Sequence, residues 1–251
     1  MVGSPGAIPV TIAHVRAVRH ASFDPRCPTC FMKPALCLCG VFRRRPIRSH
    51  VRVVAPDTEL QKSTNTGRLL PLLLEHSEIV IHGGPHHPSV SARLWPDGTR
   101  PVVLFPLEGA PTIDTFVDAA KPPVCLIVLD GTWRQANRLR KRFLVERVPF
   151  ARLPDDEHQS LYALRHGHFE GSRSTLEAAA RALAILEGDE AVFDHLIDGF
   201  RRMVDRTLWL RGELGPEEVY GGLPPGVERH DINTRERDKA ATTTTTPTGD
   251  G

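Results

Sequence analysis

The chain has 251 residues, 40% apolar and 25% charged, a length and balance that suit one globular domain with appendages. Lys and Arg exceed Asp and Glu by only two, so the protein is not a polycation, although local basic patches can still meet a nucleic acid. The uninterrupted apolar run Val124 to Leu129 is far short of the roughly 20 residues that a bilayer span needs, and Met1 to Ala21 has no apolar segment of the signal-peptide kind. Membrane, collagen-like and secreted disulfide-scaffold classes are excluded, and a cytoplasmic globular protein is expected.

Residues 1–22 read as a flexible leader. The next segment, 23–45, carries Cys27, Cys30, Cys37 and Cys39 in a C-x2-C-x6-C-x-C pattern with Pro28, Pro34 and Gly40 as turn formers. In a reducing compartment such clustering argues for a metal. Four thiolates close a tetrahedral shell around Zn²⁺ and leave no open position for chemistry, so the expectation is a structural zinc knuckle, with four free or partly oxidised thiols as the alternative. Cys125 lies in an apolar run and reads as a buried hydrophobe.

A basic strip, Arg43, Arg44, Arg45 and Arg48, leads into the main domain, 46–227. Strands are predicted at Val51 to Ala55, Ile79 to His82, Val102 to Phe105 and Val124 to Leu129. The last is apolar throughout, as in a strand covered on both faces. Between the first two, Thr64 to Gly67 reads as a loop entering a helix over Leu69 to Leu74 and on to His76, with Pro71 in an early turn. A basic helix is expected over Arg134 to Glu146. Another spans Ser174 to Glu187, opening on an S-x-x-E capping box, and a third covers Glu190 to Arg211 with helically spaced apolar residues. Residues 228–251, ending in a threonine run, read as a disordered tail. Strands alternating with helices indicate an α/β fold with a mostly parallel sheet flanked by helices, whose ligands bind at the carboxyl ends of strands.

The polar peculiarities sit at those strand ends. Asp130-Gly131-Thr132-Trp133 follows the buried strand. Its carboxylate suits a general base or an orienting group, and its indole could stack on a base or an adenine ring. A helix cap and a core tryptophan explain the same residues equally well. Lys62-Ser63-Thr64-Asn65-Thr66-Gly67-Arg68, with Glu59 upstream, has the hydroxyls and amides of an anion site, but also those of an ordinary cap. Arg173-Ser174-Thr175-Leu176-Glu177 and Phe105-Pro106-Leu107-Glu108 are further candidates. His82, His86, His87, His158, His166 and His168 fit no common ligand spacing. No phosphate-binding or dinucleotide-binding glycine motif and no serine nucleophile elbow occurs. Arg134, Arg138 and Lys141, with Arg43 to Arg45 after the cysteines, favour RNA as a partner over a merely solvated face.

In combination and in order, these segments resemble the DTW-domain family: the cysteine cluster, Glu59 through Arg68, the turn Asp130 to Trp133, and Arg173-Ser174-Thr175 with Glu177. The resemblance covers roughly Cys27 to Trp209. Where similar members often carry His-Pro shortly before the Glu, this chain has Ala55-Pro56. The resemblance implies a tRNA-uridine aminocarboxypropyltransferase that moves the 3-amino-3-carboxypropyl group of S-adenosylmethionine to N3 of a uridine. It also implies a SPOUT-like, knotted sheet. By the same analogy Asp130 would be the base, with Thr132 and Trp133 shaping the pocket. Thr64, Asn65, Thr66, Gly67 and Arg68 would hold the donor carboxylate. Phe105, Pro106 and Leu107, with Ser174, Thr175 and Leu176, would line the adenosine site. Arg43, Arg44, Arg45, Arg134, Arg138 and Lys141 would face tRNA. The rivals are a SPOUT-like methyltransferase using the same donor and a non-catalytic zinc-knuckle RNA-binding protein.

Overall fold

The computed structural model describes residues 26–83, 94–154 and 173–229. The leader, the tail beyond residue 229, and His86, His87, His158, His166 and His168 lie outside the described residues. Five strands form one sheet: β1 (His50–Pro56), β2 (Ser77–His82), β3 (Arg100–Leu104), β4 (Val124–Leu129) and β5 (Phe150–Ala151). Their order is β2-β1-β4-β3-β5 and every pairing is parallel. The helices are α1 (Asp57–Leu60), α2 (Leu70–Leu73), α3 (Trp133–Val145), α4 (Thr175–Glu187) and α5 (Glu190–Arg211).

Strand alternation divides the core in two. Val51, Val53, Val102, Leu126 and Val128 pack with Leu176, Ala179 and Leu183 of α4, Leu196 and Phe200 of α5, and Leu36 and Leu38 of the cysteine segment. Val54, Val103, Ile127 and Leu129 meet Ala136, Leu139 and Phe143 of α3 on the other face. All six residues of β4 are buried, which is why that strand shows no polar alternation. Cys125 is fully buried among them, as expected. The capping box at Ser174 forms, and α4 ends at Gly188, whose φ of +64° suits the left-handed cap that turns the chain into α5.

Two local expectations change. The helix expected from Leu69 to His76 is a 3-10 turn, Gly67–Leu69, followed by the single turn of α2 with Pro71 near its start. The Leu73 carbonyl accepts from the Arg45 amide at 2.8 Å, and Glu75 N donates to Arg45 O at 3.0 Å. This pairing pulls Leu74 into an extended conformation and stops the helix. The short β5, absent from the sequence reading, completes the sheet edge beside β3.

Candidate active site

The connections from β1 and β4 leave in opposite directions, β1 toward β2 and β4 past β3 to β5. Neighbouring parallel strands whose connections diverge leave a crevice at their carboxyl ends, the preferred ligand position of such sheets. The segments after β1 and β4 are Glu59 to Arg68 and Asp130 to Trp133, so two of the sequence motifs flank this crevice.

Asp130 joins them. Its backbone N–H donates to Val54 O at 2.9 Å, and its residue is 3% exposed. Oδ2 accepts from Asn65 Nδ2 at 2.5 Å, and Oδ1 accepts from Thr175 Oγ1 at 2.5 Å. One carboxylate therefore holds the loop after β1 and the first residue of α4. Asn65 Oδ1 in turn accepts from the Arg68 amide at 3.0 Å, and Thr66 Oγ1 accepts from the Leu176 amide at 3.4 Å. Gly67 is required here, because a Cβ would lie 2.8 Å from Asp130 Oδ2 and 3.0 Å from Val53 Cγ1. Thr64 is half-buried, whereas Asn65, Thr66 and Gly67 are buried and Leu176 is fully so. These residues form a buried network between the carboxyl ends of β1 and β4 and the start of α4. Ala55, next to Pro56, is buried and pairs with Ile81.

Arg68 is 6% exposed. Its Nη2 donates to Leu60 O, and its guanidinium lies 4.4 Å from the centre of the Phe31 ring. Nε has no hydrogen-bond partner among the described residues. Burial lowers the Arg68 pKa to about 10, against the opposing pull of the Asp130 charge. Nearby, Glu59 is fully buried and receives Lys62 Nζ at 2.5 Å.

On the α3 side, Thr132 caps the helix in a reciprocal box with Gln135. Trp133 is not core: it is 62% exposed and stacks on Phe105, with ring centres 5.2 Å apart and an 18° tilt. Arg140 lies 5.4 Å from the Phe105 ring centre. Pro106 is exposed and Leu107 half-buried beside them. Arg134, Arg138 and Lys141 are all exposed, and their i, i+4, i+7 spacing puts them on one helix face that starts at the crevice.

Arg43, Arg44 and Arg45 lie elsewhere. They precede β1 at the amino edge of the sheet, where Arg45 pairs with Asp189 at 2.7 Å and Arg48 N meets Glu187 at the far end of α4. A seven-residue strand, about 20 Å, separates this strip from the crevice. Only the α3 run adjoins the candidate site.

The cysteines converge. The Sγ atoms of Cys27, Cys30, Cys37 and Cys39 all lie within 4.8 Å of one another, with Cys27–Cys39 at 3.5 Å and Cys30–Cys37 at 3.7 Å. Tetrahedral Zn–S bonds of about 2.3 Å place sulfurs about 3.8 Å apart, so the donor set fits a metal. Burial raises the Cys27 thiol, but hydrogen bonds from the Cys30 and Thr29 amides and the Cys39 thiol outweigh it, bringing it down to about 6. Burial instead raises the Cys30 and Cys39 thiols, and the thiolate is the form that ligates. The fold also brings in two residues that the sequence reading missed. Phe31 covers Arg68, and buried Arg206 donates to the carbonyls of Leu36 and Cys37 at 3.1 and 3.3 Å. No local pattern marks either one.

The family model described as "DTW domain" matches residues 24–208. The chain is 28% identical to tRNA-uridine aminocarboxypropyltransferase 2 of Macaca fascicularis over 72% of its own length and 62% of that protein's. It is 26% identical to the Mus musculus protein of the same name, covering 83% and 73% respectively. The Drosophila melanogaster protein of that name is 27% identical over 64% and 66%. The chain thus spans about two thirds of the length of these curated relatives.

Proposed function

The chain belongs to the DTW-domain family, and on that premise we propose that it transfers the 3-amino-3-carboxypropyl group of S-adenosylmethionine to N3 of a uridine in tRNA. The activity in the names of the relatives is the one this site can serve. In the reaction uracil N3 bonds to the donor's γ-carbon and loses its proton. The γ-carbon–sulfur bond breaks, and its electron pair stays on sulfur in 5′-methylthioadenosine. The sulfonium already leaves readily, so the protein's task is to aim N3 at the γ-carbon rather than the methyl.

The observation that carries this reading is the network centred on Asp130, which gathers the Asn65 loop, the DTW turn and the start of α4 at the switch-point crevice. Arg68 suits the donor's carboxylate, because its buried Nε–H has no partner among the described residues and a carboxylate is the acceptor such a donor favours. The exposed face of Trp133 suits a stacked base, or the adenine of the donor with Phe105 to Leu107 and Ser174 to Leu176 around it. Asp130 holds the loops in register. The same carboxylate is the proposed acceptor of the N3 proton.

The α3 face, Arg134, Arg138 and Lys141, suits the tRNA backbone near the target, and Arg43 and Arg44 suit a second contact about one strand length away. Cys27, Cys30, Cys37 and Cys39 would hold a structural zinc ion, which would fix the turn they form. A site that needs four thiolates belongs in a reducing compartment, the cytoplasm. No helix among the described residues is long and apolar enough to cross a membrane.

The test uses purified protein, unmodified tRNA and donor labelled in either the methyl or the carboxyl group. Carboxyl label in tRNA, with methylthioadenosine released, is the expected result. Methyl label alone would make the enzyme a methyltransferase. Donor binding without either transfer to a broad set of tRNAs would move the substrate to another RNA, and absence of donor binding would leave an RNA-binding module.

A further inference from the structure

The cysteine cluster and the crevice meet at one side chain. Phe31, immediately after Cys30, has φ +61°, a left-handed conformation that a bulky residue rarely adopts and a glycine takes freely. The metal-knuckle turn enforces it: Phe31 N donates to Cys27 O at 2.9 Å, and Cys27 N donates to Met32 O at 2.9 Å. The outcome is a ring laid 4.4 Å from the guanidinium of Arg68, whose Nη2 is held from the other side by Leu60 O. Arg206, 3% exposed, grips the Leu36 and Cys37 carbonyls on the opposite flank of the cluster.

Charge makes this placement informative. Four thiolates around a divalent cation carry two net negative charges, and buried charge persists only where it is compensated. Arg68 and Arg206 are buried cations beside the four cysteines, and Lys33, 8% exposed, lies within the cysteine segment itself. Arg68 also feels the Asp130 charge, so it is linked electrostatically to the crevice carboxylate as well as to the cluster.

We propose that Phe31 couples the cysteine cluster to the donor site, acting as a positioning residue that holds the Arg68 guanidinium in the crevice when the cluster carries its metal. Metal loading orders the turn, the turn holds the ring, and the ring and the cluster's charge hold Arg68. Coupling free energies are reciprocal, so a donor anchored on Arg68 must in turn tighten the metal. This proposal rests on the reading that Arg68 takes the donor's carboxylate.

The experiment uses full-length zinc-loaded protein as wild type, Phe31→Gly and Phe31→Tyr. Zinc content, S-adenosylmethionine affinity by calorimetry, and zinc transfer to a colorimetric chelator with and without donor are measured. Wild type should release zinc several-fold more slowly with donor bound. Phe31→Gly should keep one zinc per chain, bind donor about 10-fold more weakly and lose the donor effect on zinc release, a factor within the usual range of such couplings. Phe31→Tyr should restore both. Should Phe31→Gly lose its zinc, the donor effect on wild-type zinc release decides alone. Wild type that binds donor yet releases zinc at an unchanged rate overturns the coupling and leaves the donor reading intact, as does Phe31→Gly with one zinc and wild-type donor affinity. Wild type that binds no donor overturns both.

Discussion

Asn65 donates from Nδ2 to Asp130 Oδ2 at 2.5 Å while its own Oδ1 accepts the Arg68 amide at 3.0 Å. One side chain thereby transmits the position of the β4 carboxylate to the backbone of the residue proposed to hold the donor. Asn65 is 1% exposed, so neither bond can be replaced by water without opening the loop.

Asn65→Ala should lower stability by about 1–3 kcal/mol, because it leaves buried Asp130 and Arg68 groups short of a partner. Asn65→Asp should be worse, since it sets a second carboxylate against Asp130. Urea denaturation measures the stability loss and calorimetry the accompanying loss of donor affinity. Unchanged values for both variants would remove Asn65 from the site.

Asp130→Asn separates the two roles open to that carboxylate. As a positioning group its loss should weaken donor binding at least 10-fold, with kcat falling alongside. A variant with normal donor affinity, kcat greatly reduced and no acidic limb in its pH–rate profile would instead make Asp130 the proton acceptor.

Gly67→Ala tests how closely the loop approaches the carboxylate. The added methyl would sit 2.8 Å from Asp130 Oδ2, and overpacking of this kind costs about 1–3 kcal/mol. Loss of donor binding with only a modest fall in melting temperature is expected. A variant indistinguishable from wild type would show that the loop gives way freely.

Trp133→Ala should leave stability within about 1 kcal/mol, since the indole is 62% exposed and surface changes are usually small. Removing a stacking platform typically costs about 1–3 kcal/mol per base, so tRNA affinity should drop on the order of 10-fold. Fluorescence anisotropy with labelled tRNA gives that number. A loss confined to S-adenosylmethionine affinity would place adenine, not a tRNA base, on the ring.

Burial pushes the Cys125 thiol from an ordinary 9.0 up to about 11. Below pH 9 the thiol is neutral in the folded and unfolded chains alike. Between about 9 and 11 only the unfolded chain ionises, so stability falls by up to about 1.4 kcal/mol per pH unit from this group. Cys125→Val should flatten that alkaline loss in chemical denaturation measured at pH 8.5 and 10.5. Equal slopes for both proteins would mean that the thiol does not contribute.

The sequence alone determined the elements and the chemical vocabulary. The apolar run of β4 spans Val124–Leu129 as read, the capping box sets the start of α4, and α5 covers Glu190–Arg211 as its apolar spacing indicates. Four cysteines within thirteen residues pointed to a cluster able to hold a metal, because their convergence depends on short-range turns. Signals of this kind are local: periodicity, caps and turn residues act within a few positions. The tertiary structure decided what those pieces build. Asn65, Asp130 and Thr175 lie 65 and 45 residues apart along the chain, yet share one carboxylate, because the strand order sets β1 beside β4 and turns their ends into one crevice. It also separated the two basic runs, sending Arg45 to the opposite edge against Asp189, and it exposed Trp133, which spacing alone left undecided. Strand order follows from burial of the whole apolar surface, and no short stretch of residues encodes it.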